Sequence, residues 1–304
     1  MIPEEAIAQQ LALVTHVDIL VAQQIVKNWQ SLSPESRLSV ALIPDLIGLV
    51  TEIATAYAEA NAIAAADFYD YMADLSGRRL PAAVAASPVP VAEQVEKMMR
   101  WATGPLRFET PLPDVALQRV VGAATRLAQQ PGRMTMFNMA RRDATGYARV
   151  PQGGTTCPFC LMLCSRGAVY WSRDSAGEPD AHKFHTRCDC AIVPIMHDSD
   201  VPPINRELEA QWQEMGRQGG HTLEAWRQYL KDGTVPERAT VTAARRAKRM
   251  GVKPGSPAAK VTEKAIVDER VTARMQWLEQ RLAVASDART ADYLNSELTR
   301  LKSL

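Results

Sequence analysis

The sequence has few aromatic residues, and this shortage argues against a fold built mainly from strands. Only 6% of the 304 residues are aromatic, whereas 46% are hydrophobic. Ala, Leu and Val supply most of the hydrophobic fraction, and Ala and Leu favour helices whereas aromatic and β-branched residues favour strands. A chain of this length and hydrophobicity can bury a core, which excludes a disordered tail. The composition therefore predicts a mainly α protein.

The chain also lacks an excess of one charge and a long unbroken apolar segment. Its net charge of +1 gives no general attraction to nucleic acid or acidic membranes. The best apolar run, residues 38–50, is interrupted by Pro44 and Asp45 and is shorter than the roughly 18 residues that a membrane span needs. Glu4 and Glu5 stand where a secretory signal would be basic. We expect a protein made in the cytosol, without a membrane partner, which includes one assembled there into a particle.

Helical spacing of apolar residues extends over most of the chain outside residues 146–197. We expect Pro44 to kink a helix predicted at about 37–77, and Pro131 to divide the helix predicted at 115–143. Proline removes an internal hydrogen bond of a helix. The predicted organisation is a helical body over 1–80, a helical continuation over 81–145 after a Pro- and Ala-rich linker, a small α+β insert over 146–197, helices and a basic segment over 198–257, and a long C-terminal helix over 258–304.

Cysteine is scarce, and its distribution argues against a disulfide framework. All five cysteines lie within the insert, and an odd number confined to one short window favours metal or thiol chemistry. Two thiols in the string Cys157-Pro158-Phe159-Cys160 can turn toward one metal ion, and the string His185-Thr186-Arg187-Cys188-Asp189-Cys190 offers a second set of ligands. The pattern predicts one tetrahedral zinc site.

Our ligand set is Cys157, Cys160, His185 and Cys188, with Cys190 as the competitor for the fourth position. Because Cys157, Cys160 and His185 leave one place in a tetrahedral site, only one of Cys188 and Cys190 should reach the metal. The alternative is a small core of buried or oxidisable thiols without metal. A closed four-ligand site is structural, since a catalytic zinc keeps a position open for water.

These residues resemble the C-terminal half of phage Mu F-like minor head (minor capsid) proteins, especially the form found in phages of actinobacteria. The resemblance is strong over residues 130–197 and looser over the helical N-terminal body. Many relatives end the motif in His-Pro-Asn-Cys-Arg-Cys, whereas Thr186, Arg187 and Asp189 stand between the ligands here. Cys164 replaces a frequent Ala, which argues against its being a required ligand. The matching strings are 132–135, 147–151, 154–160, 163–170 and 185–190.

The resemblance implies a structural role in phage head morphogenesis, with a few copies per virion. It implies contact with the portal or the major capsid protein, a location at the portal vertex or capsid interior, and handling of packaged double-stranded DNA. Self-association into a homo-oligomer is a further option. Composition and spacing do not provide these expectations.

A basic segment, 238–260, contains seven Lys and Arg residues and no acidic residue. Such a run is typical of a solvated helix face, and it is also compatible with DNA contact because each neutralised phosphate releases counterions. The candidate nucleic-acid residues are Arg245, Arg246, Lys248 and Arg249. A DNA-binding adaptor is therefore one alternative function.

A capsid maturation protease or a zinc-knuckle nuclease is the other alternative. The sequence has no His-Glu-x-x-His and no recognisable Ser-His-acid motif, and a thiol nucleophile would need Cys164 or Cys190 close to His182 or His197. We therefore favour a non-enzymatic protein. A last question concerns the apolar seam of the C-terminal helix, which either docks on a partner or folds back onto the N-terminal helices as core.

Overall fold

The computed structural model describes residues 4–152, 156–168 and 190–235, together with part of the stretch 272–302. It is mostly helical, which confirms the mainly α prediction. The helices of the first 145 residues are α1 (Glu4–Ser31), α2 (Pro34–Arg37), α3 (Ile43–Leu75), α4 (Ala92–Ala102) and α5 (Pro113–Arg142). They are followed by β1 (Gly146–Val150), α6 (Pro158–Cys164), β2 (Ala191–Ile195), α7 (Pro203–Gly219) and α8 (Leu223–Asp232).

Three long helices, α1, α3 and α5, form the body of the protein and run through two adjoining hydrophobic clusters. One cluster joins the C-terminal half of α1 to the N-terminal halves of α3 and α5, and α4 packs against it. The other joins Leu11 of α1 to Tyr69 of α3 and Met136 of α5, and extends into β1, β2, α6, α7 and α8. The N-terminal half of α1 therefore packs against the C-terminal half of α3, and the C-terminal half of α1 against the N-terminal half of α3. Helices α1 and α3 are antiparallel.

Two prolines do not act as predicted. Pro44 lies in the first turn of α3, where its missing N–H has no intrahelical partner to lose, so it starts the helix and does not kink it. Pro131 lies inside α5, which continues to Arg142. Around it α5 packs closely on α3, and the Asn61 side chain donates a hydrogen bond to the Ala128 carbonyl at 2.9 Å. Tertiary packing therefore outweighs the local preference of Pro131.

The Pro- and Ala-rich segment at 81–90 has no helix or strand, but it is tied to α3 and α5. The backbone N–H of Ala83 donates to Asp70 at 2.9 Å, and that of Ala86 donates to Thr135 at 2.9 Å. Arg142 donates to the carbonyl oxygens of Pro81 and Ala82. The segment is therefore a strap held along the body.

The C-terminal seam packs on α1. Leu278, Leu294, Leu298 and Leu301 are each at most 5% exposed and form a third cluster with Ile19. This packing agrees with the alternative in which the seam folds back onto the N-terminal helices as core.

Two helical segments, Glu5–Ser31 and Val40–Leu75, are long and apolar enough to cross a membrane by length and composition alone. In their most apolar windows 56% and 33% of the residues, respectively, are buried within the protein. Core helices of soluble proteins meet the same criterion, so this finding assigns neither segment to a membrane.

Candidate metal centre

Cys157 and Cys160 lie together at the start of α6. Cys157 is the residue immediately before the helix, and Pro158 occupies the first helical position, where proline is favourable. The Cys157 sulfur accepts a hydrogen bond from the backbone N–H of Cys160 at 3.4 Å. This contact orients the Cys157 sulfur at the start of the helix. The two-residue spacing has therefore produced a local arrangement suited to a ligand pair.

Cys160 and Cys164 follow one another by one helical turn and are both fully buried. They belong to the same apolar cluster as Cys190, against which Cys157 packs. Four of the five cysteines therefore lie in one core, and each of these four is a free thiol.

Two buried arginines hold Cys190, the residue before β2. Arg149 of β1 approaches the Cys190 sulfur with one guanidinium nitrogen at 4.0 Å, and Arg133 of α5 donates to the Cys190 carbonyl at 3.1 Å. The two side chains are only 1% and 5% exposed. Burying a guanidinium is costly unless its donors find acceptors. The sulfur and the carbonyl oxygen of Cys190 are two such acceptors, so the two arginines hold this residue in place at the start of β2.

The two strands are antiparallel, with Val150 paired to Ala191. Asn205 of α7 ties this pair to α6. Its side-chain amide nitrogen donates to the carbonyl oxygens of Arg149 and Cys164, both at 2.7 Å, and the residue is fully buried. One side chain therefore connects β1, α6 and α7.

The body and the cysteine region meet where α5 passes into β1. The Tyr69 hydroxyl donates to Asp143 at 2.9 Å and lies 3.1 Å from the Thr145 hydroxyl. Burial raises the pKa of Tyr69 to about 12. Hydrogen bonds from Arg142 lower the pKa of Asp143. A neutral phenol and an ionised carboxylate therefore face each other at this junction.

The structure brings together only part of the predicted ligand set. Cys157 and Cys160 are adjacent, whereas His185 and Cys188 fall outside the described residues, as do Arg245, Arg246, Lys248 and Arg249 of the basic segment. Within the described ranges no three His, Cys, Asp or Glu side chains form a group able to hold a metal. Of the five predicted ligands, Cys157, Cys160 and Cys190 lie within these ranges.

Of the two histidines considered as partners of a thiol nucleophile, His182 lies outside the described residues and His197 lies within them. His197 is exposed, and one ring nitrogen lies 3.4 Å from the carbonyl oxygen of Ser76. The Cys190 sulfur faces Arg149.

Motif spacing identified the thiols but not the polar side chains that support them. Arg149 occupies a strand whose five residues are all buried, so no alternation of polar and apolar residues marks it. Arg133 contacts a residue 57 positions away. Asn205 contacts two residues, 56 and 41 positions away. The only available signal was the resemblance itself, because Arg133 and Arg149 fall within its matching strings.

Comparison with known sequences places the chain in a phage family. The family model for VG15 proteins matches residues 1–215, and the chain belongs to that family. The Gene 15 protein of Mycobacterium phage D29 is 26% identical over 263 residues, which cover 73% of this chain and 91% of that protein. The Gene 15 protein of Mycobacterium phage L5 is 28% identical over 210 residues, covering 54% and 68%, respectively. No solved structure matches the chain.

Proposed function

We propose that this phage protein is a structural minor capsid protein that acts in head morphogenesis. The observation that carries the proposal is the series of strings shared with Mu F-like minor head proteins. Several of their residues occupy one connected framework: Gly132 on α5 lies against Asn61, Arg133 and Arg149 hold Cys190, and Tyr147 is buried in the same cluster as Cys190. A resemblance carried by framework residues concerns the fold of this region, which strengthens the inference.

The portal and the major capsid protein are the proposed partners, at the portal vertex or on the inner capsid surface. Membership of the VG15 family supports a phage-encoded product that is assembled in the host cytoplasm. Packaged double-stranded DNA is the proposed partner of Arg245, Arg246, Lys248 and Arg249. Removing these four charges should weaken DNA binding without affecting particle assembly if the segment is a DNA adaptor.

The role in the capsid is tested in the phage that encodes the protein. Purified virions should contain the chain at a few copies, and a nonsense mutation in its gene should leave particles that lack it and show defective or empty heads. Complementation with the wild-type gene is the control. Normal, infectious, fully packaged heads from the nonsense mutant would contradict the proposal.

We also propose a structural zinc ion bound by Cys157, Cys160, His185 and Cys188. The N–H···S contact at Cys157 supports the first ligand pair. Cys188 is favoured over Cys190 because the Cys190 sulfur faces the Arg149 guanidinium. The ion would close the insert as a folded unit and leave no open position for catalysis.

Metal analysis and cobalt substitution test the site and its fourth ligand. The reduced wild-type protein should contain about one zinc per chain and give a cobalt spectrum with sulfur-to-metal charge transfer. Cys157→Ser and Cys188→Ser should lose tight binding, whereas Cys190→Ser and the control Cys164→Ser should retain it. Absence of zinc from the folded wild-type protein would overturn the site, whereas loss in Cys190→Ser alone would overturn only the choice of ligand.

A further inference from the structure

The outer face of α3 is strongly acidic and is exposed. Five carboxylates recur along it at spacings of seven or eight residues, which is close to two turns and keeps them on one side of the helix. The helix contains no Lys or Arg. All five are exposed, and none forms an ion pair with a described residue. They are Asp45, Glu52, Glu59, Asp67 and Asp74.

Apolar side chains interrupt the same surface. Ile63 lies between Glu59 and Asp67 on this face and is 49% exposed, and Tyr71 near the C-terminal end is 50% exposed. They add two exposed apolar side chains to the row of carboxylates. We name this surface, Asp45 to Asp74 with Ile63 and Tyr71, the acidic face.

We propose that the acidic face binds the basic segment 238–260 of the same chain, in competition with the DNA proposed above as the partner of four of its residues. The two are complementary in charge, since the segment has seven basic and no acidic residues whereas α3 has no basic residue. The segment also offers apolar side chains, among them Val241, Met250 and Val252, to pack against Ile63 and Tyr71. Charge attraction and apolar contact together would cover the face.

The described ends of the chain on either side of this segment make an intramolecular contact feasible. Val235 packs against the cluster that contains Tyr69 and Met72, near the C-terminal end of α3. Leu278 packs with Ile19, midway along α1 and so beside the middle of antiparallel α3. The acidic face is about 44 Å long at 1.5 Å per helical residue, and the intervening chain can span it whether helical or extended. Tethering at both ends raises the effective concentration of the segment at this face.

Carbodiimide cross-linking of the full chain tests the proposal, because this reagent joins only a carboxylate and an amine in direct contact. A mixture of isotope-labelled and unlabelled protein distinguishes links within a chain from links between chains. We expect intrachain links from Lys248, Lys253 or Lys260 to Glu52, Glu59 or Asp67. Links found only between chains would overturn the intramolecular contact and assign the face to a second copy. Absence of links to α3 would overturn the proposal altogether.

Trypsin sensitivity gives a second measurement. The triple variant Glu52→Gln, Glu59→Gln, Asp67→Asn removes three charges from the face without changing side-chain size. Cleavage within 238–260 should become about fivefold faster than in wild type, as loss of a few exposed ion pairs allows, and high salt should have the same effect on wild type.

The matched control removes three exposed carboxylates elsewhere, by Glu207→Gln, Glu209→Gln and Glu224→Gln on α7 and α8. It changes the net charge equally, and its cleavage rate should match wild type. Equal rates in wild type and in the α3 variant would overturn the proposal.

Discussion

The helical body and the cysteine region of this protein are held together by different interactions. Buried alanines line the contacts among the long helices, including Ala22 of α1, Ala54 of α3 and Ala124 of α5, so that apolar packing joins most of their length. In the cysteine region, the buried side chains of Arg133, Arg149 and Asn205 connect short elements through individual hydrogen bonds.

This contrast has an energetic consequence. Apolar burial is non-directional and distributed over many contacts, so the body should tolerate small shifts of its helices. A buried polar network depends on every partner, because each unsatisfied group costs free energy that water would otherwise recover. The body should therefore fail through loss of volume, and the cysteine region through loss of single bonds.

The largest expected effect comes from a cavity in the body. Trp29 is 2% exposed in the cluster around α1, and Trp29→Ala should lower the free energy of unfolding by about 3–5 kcal/mol. Urea denaturation followed by far-UV circular dichroism measures this loss. Leu13→Ala on the same helix, at a position 39% exposed, should change stability by less than about 0.5 kcal/mol. Similar losses in both variants would refute the assigned burial of Trp29.

A matched pair of asparagines tests the difference in polar dependence. Asn205→Ala removes both 2.7 Å bonds in the cysteine region and should cost about 2–4 kcal/mol, since two buried carbonyls lose a donor. Asn61→Ala removes a single bond in the body and should cost less. Alkylation of Cys160 and Cys164, followed by mass spectrometry, should accelerate only in the Asn205 variant. Equal acceleration in both would show that the two regions open together.

The same contrast explains which features the sequence predicts. Apolar residues recur at helical spacing over 4–29, close to the bounds of α1, because burial of a helix face is encoded locally. Proline positions were interpreted wrongly where tertiary packing decides, as at Pro131. The Cys157 and Cys160 pair was predictable from local spacing. The contact of Arg149 with Cys190 joins residues 41 positions apart, and no local pattern specifies it.

A smaller effect is expected at Gly132, where α5 approaches the backbone of α3 closely. A Cβ atom at Gly132 of α5 would lie 2.9 Å from the backbone oxygen of Asn61 and 3.3 Å from its carbonyl carbon, so Gly132→Ala must separate α3 from α5. We expect a loss of about 1–3 kcal/mol by urea denaturation.

Gly48→Ala is the control within α3, since no atom lies within 4 Å of its added Cβ. There the gain in helix propensity should stabilise the protein by about 0.5–1 kcal/mol. A Gly132→Ala variant as stable as this control would contradict the close approach.

The smallest effect concerns Tyr69, whose hydroxyl joins the body to the cysteine region. Tyr69→Phe removes the hydrogen bonds to Asp143 and Thr145 and should cost about 1 kcal/mol at neutral pH. The pH dependence is more informative. Burial raises the pKa of Tyr69 from 10.0 to about 12, so the folded protein holds the phenolic proton more tightly than the unfolded chain does.

The stability that Tyr69 contributes is therefore complete below pH 10 and is lost as the pH rises toward 12. Wild type should lose about 2 kcal/mol over this interval in excess of any loss shown by Tyr69→Phe, so the two stability curves should converge and cross. Asp143 gives the opposite pH dependence. Its pKa is lowered, mainly by hydrogen bonds from Arg142, so the stability that it contributes is lost as the pH falls. Tyr69→Phe leaves Arg142 in place, so the acid limbs should run nearly parallel. Urea denaturation at a series of pH values measures both limbs, and parallel curves on the alkaline side would show that the Tyr69 hydroxyl is not held in a buried site.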